Sequence, residues 1–264
     1  MNGKTVSTPV YEDELDLIFS TALDVGENLL KNGAAVHRAE DTIERICRAF
    51  GATHVEVFCI PSLIIASVRM GDGDYCSQTR RIYSSSNNFY RLDRLNSVSR
   101  RLCSGALTLH EAQEEIRTIK KQDAYPSWVL HLAAILSCGG FSVFFGGTFL
   151  DALAAAVIAC IISLLKSRLP RSVNVLSYTL VSSLLAGILA ILLHKAGIAD
   201  NYDKVMIGTI MLLVPGLSFG TSIRDLLCGD TVAGLLQFIQ SILMTAIIAF
   251  GYTIAIYLLR PLIL

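Results

Sequence analysis

The sequence predicts a two-part protein, in which a polar α+β domain is followed by an all-α polytopic membrane domain. Residues 1–123 contain 15 Lys/Arg and 17 Asp/Glu, whereas residues 124–264 contain only 7 and 5. The second part also holds long runs without a charged residue, and roughly 20 apolar residues suffice to cross a bilayer. The whole chain has 22 basic and 22 acidic residues, a balance that disfavours binding to nucleic acid.

Residues 1–123 show apolar periodicities typical of helices and of a small antiparallel sheet. Helical spacing predicts two helices that end at glycines, and alternation then predicts a three-stranded meander. Thr108 and Glu111 form a capping box that predicts the start of the last helix. The predicted helices are 12–31, 36–50, 88–103 and one from 108 onward, and the predicted strands are 54–59, 63–70 and 75–83.

Residues 124–264 predict five transmembrane helices. Four charge-free runs are each long enough to span alone, at 124–150, 172–194, 205–223 and 231–259. The charge-free run 152–165 is too short by itself, so it spans only if its helix begins near Gly146 and takes Asp151 to the membrane boundary. The predicted spans are about 128–146, 148–166, 173–194, 205–223 and 235–259.

The distribution of basic residues predicts the orientation. Seven Lys/Arg flank the spans on the side of the polar domain and three on the other side, and basic residues mark the cytoplasmic side. We therefore expect a multi-pass protein of the cell (inner or plasma) membrane with its N-terminal domain in the cytoplasm and its C-terminus outside. The N-terminal residues do not resemble a signal peptide.

Three polar or irregular features interrupt the predicted spans and are the candidate substrate and ion pathway. Glycines that allow close helix packing precede a carboxylate in the second span, a Pro-Gly pair interrupts the fourth, and a polar cluster follows it. Broken helices and intramembrane acids are how many carriers build their sites, although a packing kink, a turn carboxylate and ordinary loop acids would explain the same residues. The pathway candidates are Asp151, Pro215, Gly216, Ser222, Arg224, Asp225 and Asp230, and the packing glycines are Gly146 and Gly147.

The N-terminal domain offers only weak signals of catalysis or metal binding. His37, Glu40 and Asp41 lie within one helical turn and supply at most two or three ligands, so we expect a structural or solvated role. The seven cysteines include no C-x-x-C pair, and no nucleotide-binding or hydrolase motif is present. We therefore expect no enzyme, no cofactor and no metal. A membrane-anchored hydrolase remains an alternative and would need a nucleophile and base among Cys59, Ser62, His37 and His54.

The chain resembles the larger subunit of the threonine/serine exporter family over nearly its whole length. The resemblance implies a cytosolic domain, five spans and export of small polar metabolites. His37 departs from the family pattern, in which Tyr is frequent, so no role is carried onto it. The resemblance is carried by residues 33–42 (GAAVHRAEDT), 55–62 (VEVFCIPS), 109–112 (LHEA), 146–151 (GGTFLD), 213–216 (LVPG), 224–225 (RD) and 229–230 (GD).

The family resemblance also implies what the chain works with. Some members resemble threonine and serine exporters, and split bacterial members resemble succinate exporters. The longest members carry a second, smaller membrane module, and the sequence ends at Leu264 without it. We therefore expect a small membrane subunit of the same family as partner, with self-association as a further possibility.

These inferences lead to an exporter component with ion coupling as the expected energy source, since no nucleotide site is visible. In this hypothesis Asp151 carries the coupled proton, Pro215-Gly216 opens the backbone for the substrate, and Asp225 beside Arg224 lies at the cytosolic mouth. A membrane sensor or scaffold whose cytosolic domain binds a ligand remains the other alternative.

Overall fold

A computed structural model describes residues 9–71, 73, 75–83, 86–122, 125–169 and 173–263. The described chain is mostly helical, with one small sheet in its first half. Its strands are β1 (Ala52–Ile60), β2 (Leu63–Met70) and β3 (Tyr75–Arg81). Its helices are α1 (Pro9–Lys31), α2 (Val36–Ala49), α3 (Phe89–Cys103), α4 (Leu109–Lys121), α5 (Ser127–Phe144), α6 (Phe149–Arg168), α7 (Val175–Lys195), α8 (Tyr202–Leu213), α9 (Gly216–Leu227), α10 (Thr231–Leu258) and α11 (Arg260–Ile263).

The chain divides into two compact units. The first comprises Met1–Ala124 together with Gly220–Gln237, and the second comprises Tyr125–Phe219 and Phe238–Leu264. The end of α9 and the start of α10 therefore belong with the N-terminal helices and sheet.

The first unit is built on an antiparallel meander in the order β1-β2-β3. The central strand β2 buries Ile64, Ala66 and Val68, because successive side chains of a strand point to opposite faces and alternate residues share one face. The helices bury large side chains in the same core, among them Phe19, Leu23, Ile43, Ile46, Leu95, Leu102 and Ile116. The predicted α+β architecture of this part is thus present, with α4 opened by the predicted capping box of Thr108 and Glu111.

The second unit packs its helices through small residues. A Cβ added at Gly208 of α8 would lie 2.6 Å from the carbonyl oxygen of Cys138, and one at Gly187 of α7 would lie 2.6 Å from the Cβ of Ala255. Such close backbone approach is typical of helices that associate in a membrane, where small residues replace the hydrophobic effect as the means of tight packing. Large apolar side chains such as Leu136 and Phe144 are exposed on the outer faces, which suits contact with lipid.

Four helices, α5, α6, α7 and α10, are each long and apolar enough to cross a membrane. The fourth predicted span, 205–223, is instead two helices, α8 and α9, that meet at a bend of 54°. The described chain therefore has five candidate spans only if this bent pair counts as one. The break has a local cause, because Pro215 has no N–H to donate to the carbonyl of Met211 four residues earlier.

Candidate functional site

The turn between α9 and α10 brings two carboxylates of the first unit together. The N–H of Gly229 donates to the carbonyl of Leu226 at 3.3 Å, and the N–H of Asp230 donates to that of Asp225 at 3.0 Å. These two hydrogen bonds form a Schellman motif, which requires a left-handed residue after the helix, and Gly229 has φ +99°. The motif therefore places Asp230 directly beside the last turn of α9, where Asp225 lies.

Asp230 caps the N-terminus of α2, although the two lie at opposite ends of the chain. The helix begins after Ala35, which supplies no side-chain cap. The carboxylate Oδ2 of Asp230 accepts a hydrogen bond from the backbone N–H of His37 at 3.2 Å and lies 3.5 Å from its Nδ1. A carboxylate at this end of a helix is favoured by the free N–H groups and by the helix dipole.

Asp225 is the more deeply buried of these two carboxylates. It is only 1% exposed, and its Oδ1 has no hydrogen-bond partner among the described residues. The guanidinium of Arg224 lies 3.6 Å from this oxygen, and the Arg224 side chain is itself about half exposed. A buried charge usually needs close hydrogen-bonded partners, so Asp225 is incompletely compensated.

Glu40 adds a third carboxylate one helical turn after His37. Its Oε1 accepts a hydrogen bond from the N–H of Cys59 at 2.7 Å. Burial raises the pKa of Glu40 above its ordinary value, and the charges of Asp230 and Asp41 raise it further, against the hydrogen bond from Cys59 and the nearby His37. The carboxylates of Asp230 and Asp41 therefore both act against the ionised form of Glu40.

The resulting constellation can hold a cation. One ligand atom each from His37, Asp225 and Asp230 lies within 4.8 Å of the other two. We refer to these three residues as the HDD cluster. An imidazole nitrogen beside two carboxylates suits a divalent metal ion, and a set of carboxylates also suits an ammonium group.

Asp151 lies at a different place, in the second unit, and its contacts are structural. Its carboxylate accepts hydrogen bonds from the N–H of Thr148 at 2.9 Å, from the N–H of Asn201 at 2.8 Å and from the Asn201 side chain at 3.1 Å. It thus completes a capping box at the start of α6 and holds the loop before α8. Its predicted role as a proton carrier stays a prediction.

The two packing glycines lie at the end of α5, before that capping box. Gly146 has φ +89°, and a Schellman pair of hydrogen bonds joins Gly146 to Val143 and Gly147 to Ser142. A Cβ at Gly147 would lie 2.7 Å from the carbonyl oxygen of Ser142, so a side chain does not fit there without a shift.

The predicted pathway residues of the fourth span lie at its break and after it. Pro215 and Gly216 form the junction itself, and the N–H of Phe219 already donates to the carbonyl of Pro215 at 3.0 Å as α9 begins. Ser222 is fully buried on α9. The structure therefore brings Arg224, Asp225 and Asp230 together and places Asp151 in a separate network.

The residues needed for a hydrolase do not form a nucleophile–base pair among the described residues. The Cys59 thiol is buried, and burial raises its pKa, which disfavours the thiolate. His54 contacts Glu56 on the same strand, at 3.1 Å, and Ser62 lies exposed in the turn after β1.

Sequence reasoning expected a structural or solvated role for His37 and Glu40, which the structure places beside the predicted Asp225 and Asp230. Their spacing of one helical turn was the available signal. It was weak because the partner carboxylates come from a segment near the other end of the chain.

Several helices of the described chain are long and apolar enough to cross a bilayer, and the same chain contains a helix–sheet unit with a buried acidic cluster. This combination indicates a multi-pass membrane protein. The family ThrE, described as "Putative threonine/serine exporter", matches residues 20–259. The chain belongs to this threonine/serine exporter family, which confirms the resemblance inferred from its motifs.

Relatives of the chain include proteins named as an exporter, a transporter subunit and a membrane protein. The "Probable threonine/serine exporter" of Mycobacterium tuberculosis is 23% identical over 245 residues, which cover 90% of this chain and 46% of that protein. The "Probable succinate transporter subunit YjjP" of Klebsiella aerogenes is 24% identical over 86% of this chain and 88% of its own length. "Pheromone-regulated membrane protein 10" of Eremothecium gossypii is 22% identical over 84% of this chain and 30% of its own length.

The chain thus spans about half the length of the Mycobacterium relative and nearly all of the Klebsiella one. No solved structure gives a significant match to it.

Proposed function

We propose that this chain is the larger subunit of a membrane exporter for small polar metabolites, either threonine- and serine-type amino acids or small dicarboxylates such as succinate. The match to the exporter family over residues 20–259 carries this proposal. It is supported by the names of two relatives, one a threonine/serine exporter and the other a succinate transporter subunit. In this proposal the chain moves its substrate without converting it chemically.

The broken fourth span is the proposed transport path. A helix interrupted in a membrane leaves backbone carbonyls and a half-helix N-terminus free to bind polar groups of a substrate, and α8 and α9 are interrupted at Pro215. The positive charge of Arg224 suits the carboxylate that both substrate classes share. Ser222 is proposed to line the path, and Asp225 and Asp230 are proposed to form its cytosolic mouth.

We further propose that residues 1–123 form a cytosolic domain, residues 124–264 a membrane domain of five spans, and that the C-terminus is outside the cell membrane. The excess of basic residues on one side supports this orientation. A reporter active only outside the membrane should give a signal when fused after Leu264 and none when fused at Lys121. The reverse pattern would contradict the orientation.

A small membrane subunit of the same family is the proposed partner, and self-association and ion coupling are proposed alongside it. Five spans do not divide into the equal repeats of many carriers, and the Klebsiella relative is named a subunit. Full uphill export by the purified chain alone in vesicles would contradict the need for a partner.

Export from loaded cells that express the chain with and without that subunit tests the main proposal. We expect efflux of threonine or succinate to depend on both chains. Pro215→Ala should lower efflux because it restores the missing backbone donor and straightens the fourth span. Leu217→Ala is the matched control, since this exposed side chain lies in the first turn of α9.

Equal efflux by the parent and by Pro215→Ala at equal membrane levels would contradict the role of the break. Efflux of neither substrate class, with the chain and its partner both inserted, would contradict the proposed function.

A further inference from the structure

The HDD cluster has the donor chemistry of a metal site. It offers one imidazole nitrogen and two carboxylates, which lie within 4.8 Å of one another. Ligand atoms about 2.1 Å from a divalent ion lie roughly 3 to 4 Å apart, so small side-chain rotations would complete the set. The three ligands come from α2, from the last turn of α9 and from the turn before α10.

Two buried ligand atoms of the cluster lack a hydrogen-bond partner among the described residues. They are Oδ1 of Asp225 and Nδ1 of His37, and the second lies 3.5 Å from Oδ2 of Asp230. Asp225 as a whole is only 1% exposed, so bulk water does not solvate its carboxylate. Buried polar atoms without a partner are uncommon and call for an unseen ligand, water or ion.

The balance of charge points to a cation. Asp225, Asp230 and Glu40 supply three formal negative charges, and Arg224 supplies one positive charge at 3.6 Å from Asp225. Carboxylates therefore outnumber the basic side chain at this place, which favours a cation over an anion. A neutral imidazole is also the form that binds a metal.

We propose that His37, Asp225 and Asp230 bind one divalent first-row metal ion, with Glu40 near enough to serve as a further ligand or to accept from a metal-bound water. Mixed imidazole and carboxylate ligands favour ions such as Mn²⁺, Fe²⁺ or Zn²⁺ over Ca²⁺ and Mg²⁺. The ion joins the N-terminus of α2 to the α9–α10 turn within the first unit. This assignment does not depend on which metabolite is exported.

Mn²⁺ is the probe of choice, because it has little affinity for thiols and the chain has seven cysteines. The purified full-length chain, stripped with EDTA and dialysed, is titrated with Mn²⁺ while electron paramagnetic resonance follows the signal of the free ion. We expect one bound Mn²⁺ per chain. Pulsed measurements should detect a nitrogen nucleus coupled to the bound ion, and His37→Gln should remove that coupling.

Asp225→Asn should weaken Mn²⁺ binding on the order of 100-fold or more, since losing even an outer-shell partner costs about 10- to 100-fold. Asp41→Asn is the matched control, because this exposed carboxylate lies on the same helix outside the HDD cluster. If Asp225→Asn fails to fold, His37→Gln replaces it, since the His37 side chain is about one-third exposed.

Absence of stoichiometric Mn²⁺ binding by the parent, or equal affinities of the parent, Asp225→Asn and His37→Gln, would overturn the proposal. Threonine binding to metal-free parent that Asp225→Asn abolishes, without Mn²⁺ binding, would also overturn it and assign the cluster to a substrate ammonium group. Loss of metal binding with unchanged efflux would leave the proposed export function standing, so the two proposals fail separately.

Discussion

Replacement of Asp151 by asparagine separates a structural role from the predicted proton-carrying role. The side chain is fully buried. Its Oδ1 accepts one hydrogen bond, from the N–H of Asn201, and its Oδ2 accepts two, from the N–H of Thr148 and the side chain of Asn201. Asparagine keeps the shape but has one oxygen instead of two, so its NH₂ group must face at least one donor.

The expected loss of stability follows from this count. If the new oxygen takes the side with two donors, one hydrogen bond is lost, and in the opposite orientation two are lost. A hydrogen bond to a charged group contributes about 1.5 to 3 kcal/mol, so Asp151→Asn should lower the free energy of unfolding by at least about that amount. For a chain of this size each 1 kcal/mol corresponds to about 2 to 4 °C, so the loss of one such bond lowers the melting temperature by about 3 to 12 °C.

The assay compares melting temperatures of the detergent-purified proteins at one fixed scan rate, together with uphill export and its pH dependence. Asp203→Asn is the control, because this exposed carboxylate pairs with its neighbour Lys204 and should change stability by less than about 0.5 kcal/mol. A parental melting temperature for Asp151→Asn would refute the hydrogen-bond reasoning. Export at the parental rate with an unchanged pH profile would refute the proton-carrying role.

Three further predictions test the packing and the caps. Gly251→Ala places a carbon 2.9 Å from the Cβ of a serine on α7 and should lower the free energy of unfolding by about 1 to 3 kcal/mol. Gly140→Ala is the control, because its new carbon meets nothing within 4 Å. Equal melting temperatures of the two variants would contradict this prediction. Hydrogen bonds from the N-cap threonine of α4 hold the pKa of Glu111 below its ordinary value. The Glu111 carboxylate therefore stabilises the fold at pH values above the pKa that Glu111 has in the unfolded chain. This stabilisation is lost as the pH falls through the lower pKa of the folded state. Glu111→Gln should lack that step in an acid titration of circular dichroism, and identical curves would speak against it. Burial raises the pKa of the Cys47 thiol to about 12, so maleimide should label Cys47 on the order of a thousandfold more slowly than a free thiol. The exposed Cys228 should be labelled first. Peptide mapping that finds both cysteines labelled at the same rate would contradict the burial of Cys47.

Local signals in the sequence were sufficient to locate several helices and strands. Charge-free runs located α5, α7 and α10 to within a few residues of their observed bounds, because the length of an apolar run is a property of the segment alone. The bounds of α6 followed once the short run 152–165 was extended past Asp151 to reach the length of a span. Alternation located the strands β1 and β2, and the capping box at Thr108 located the start of α4. The Pro215-Gly216 pair also marked the break in the fourth span, since proline removes a helix donor wherever it lies.

Which polar residues meet depends on the packing of segments that are distant in the chain. The sequence grouped Asp151 with Asp225 as pathway acids, yet Asp151 joins Asn201 in the second unit while Asp225 joins His37 in the first. Contacts between segments so distant in the chain depend on how whole helices pack, and no short-range periodicity encodes that. The HDD cluster, the cap that Asp230 provides for α2 and the incompletely compensated burial of Asp225 therefore follow from the packing of distant segments.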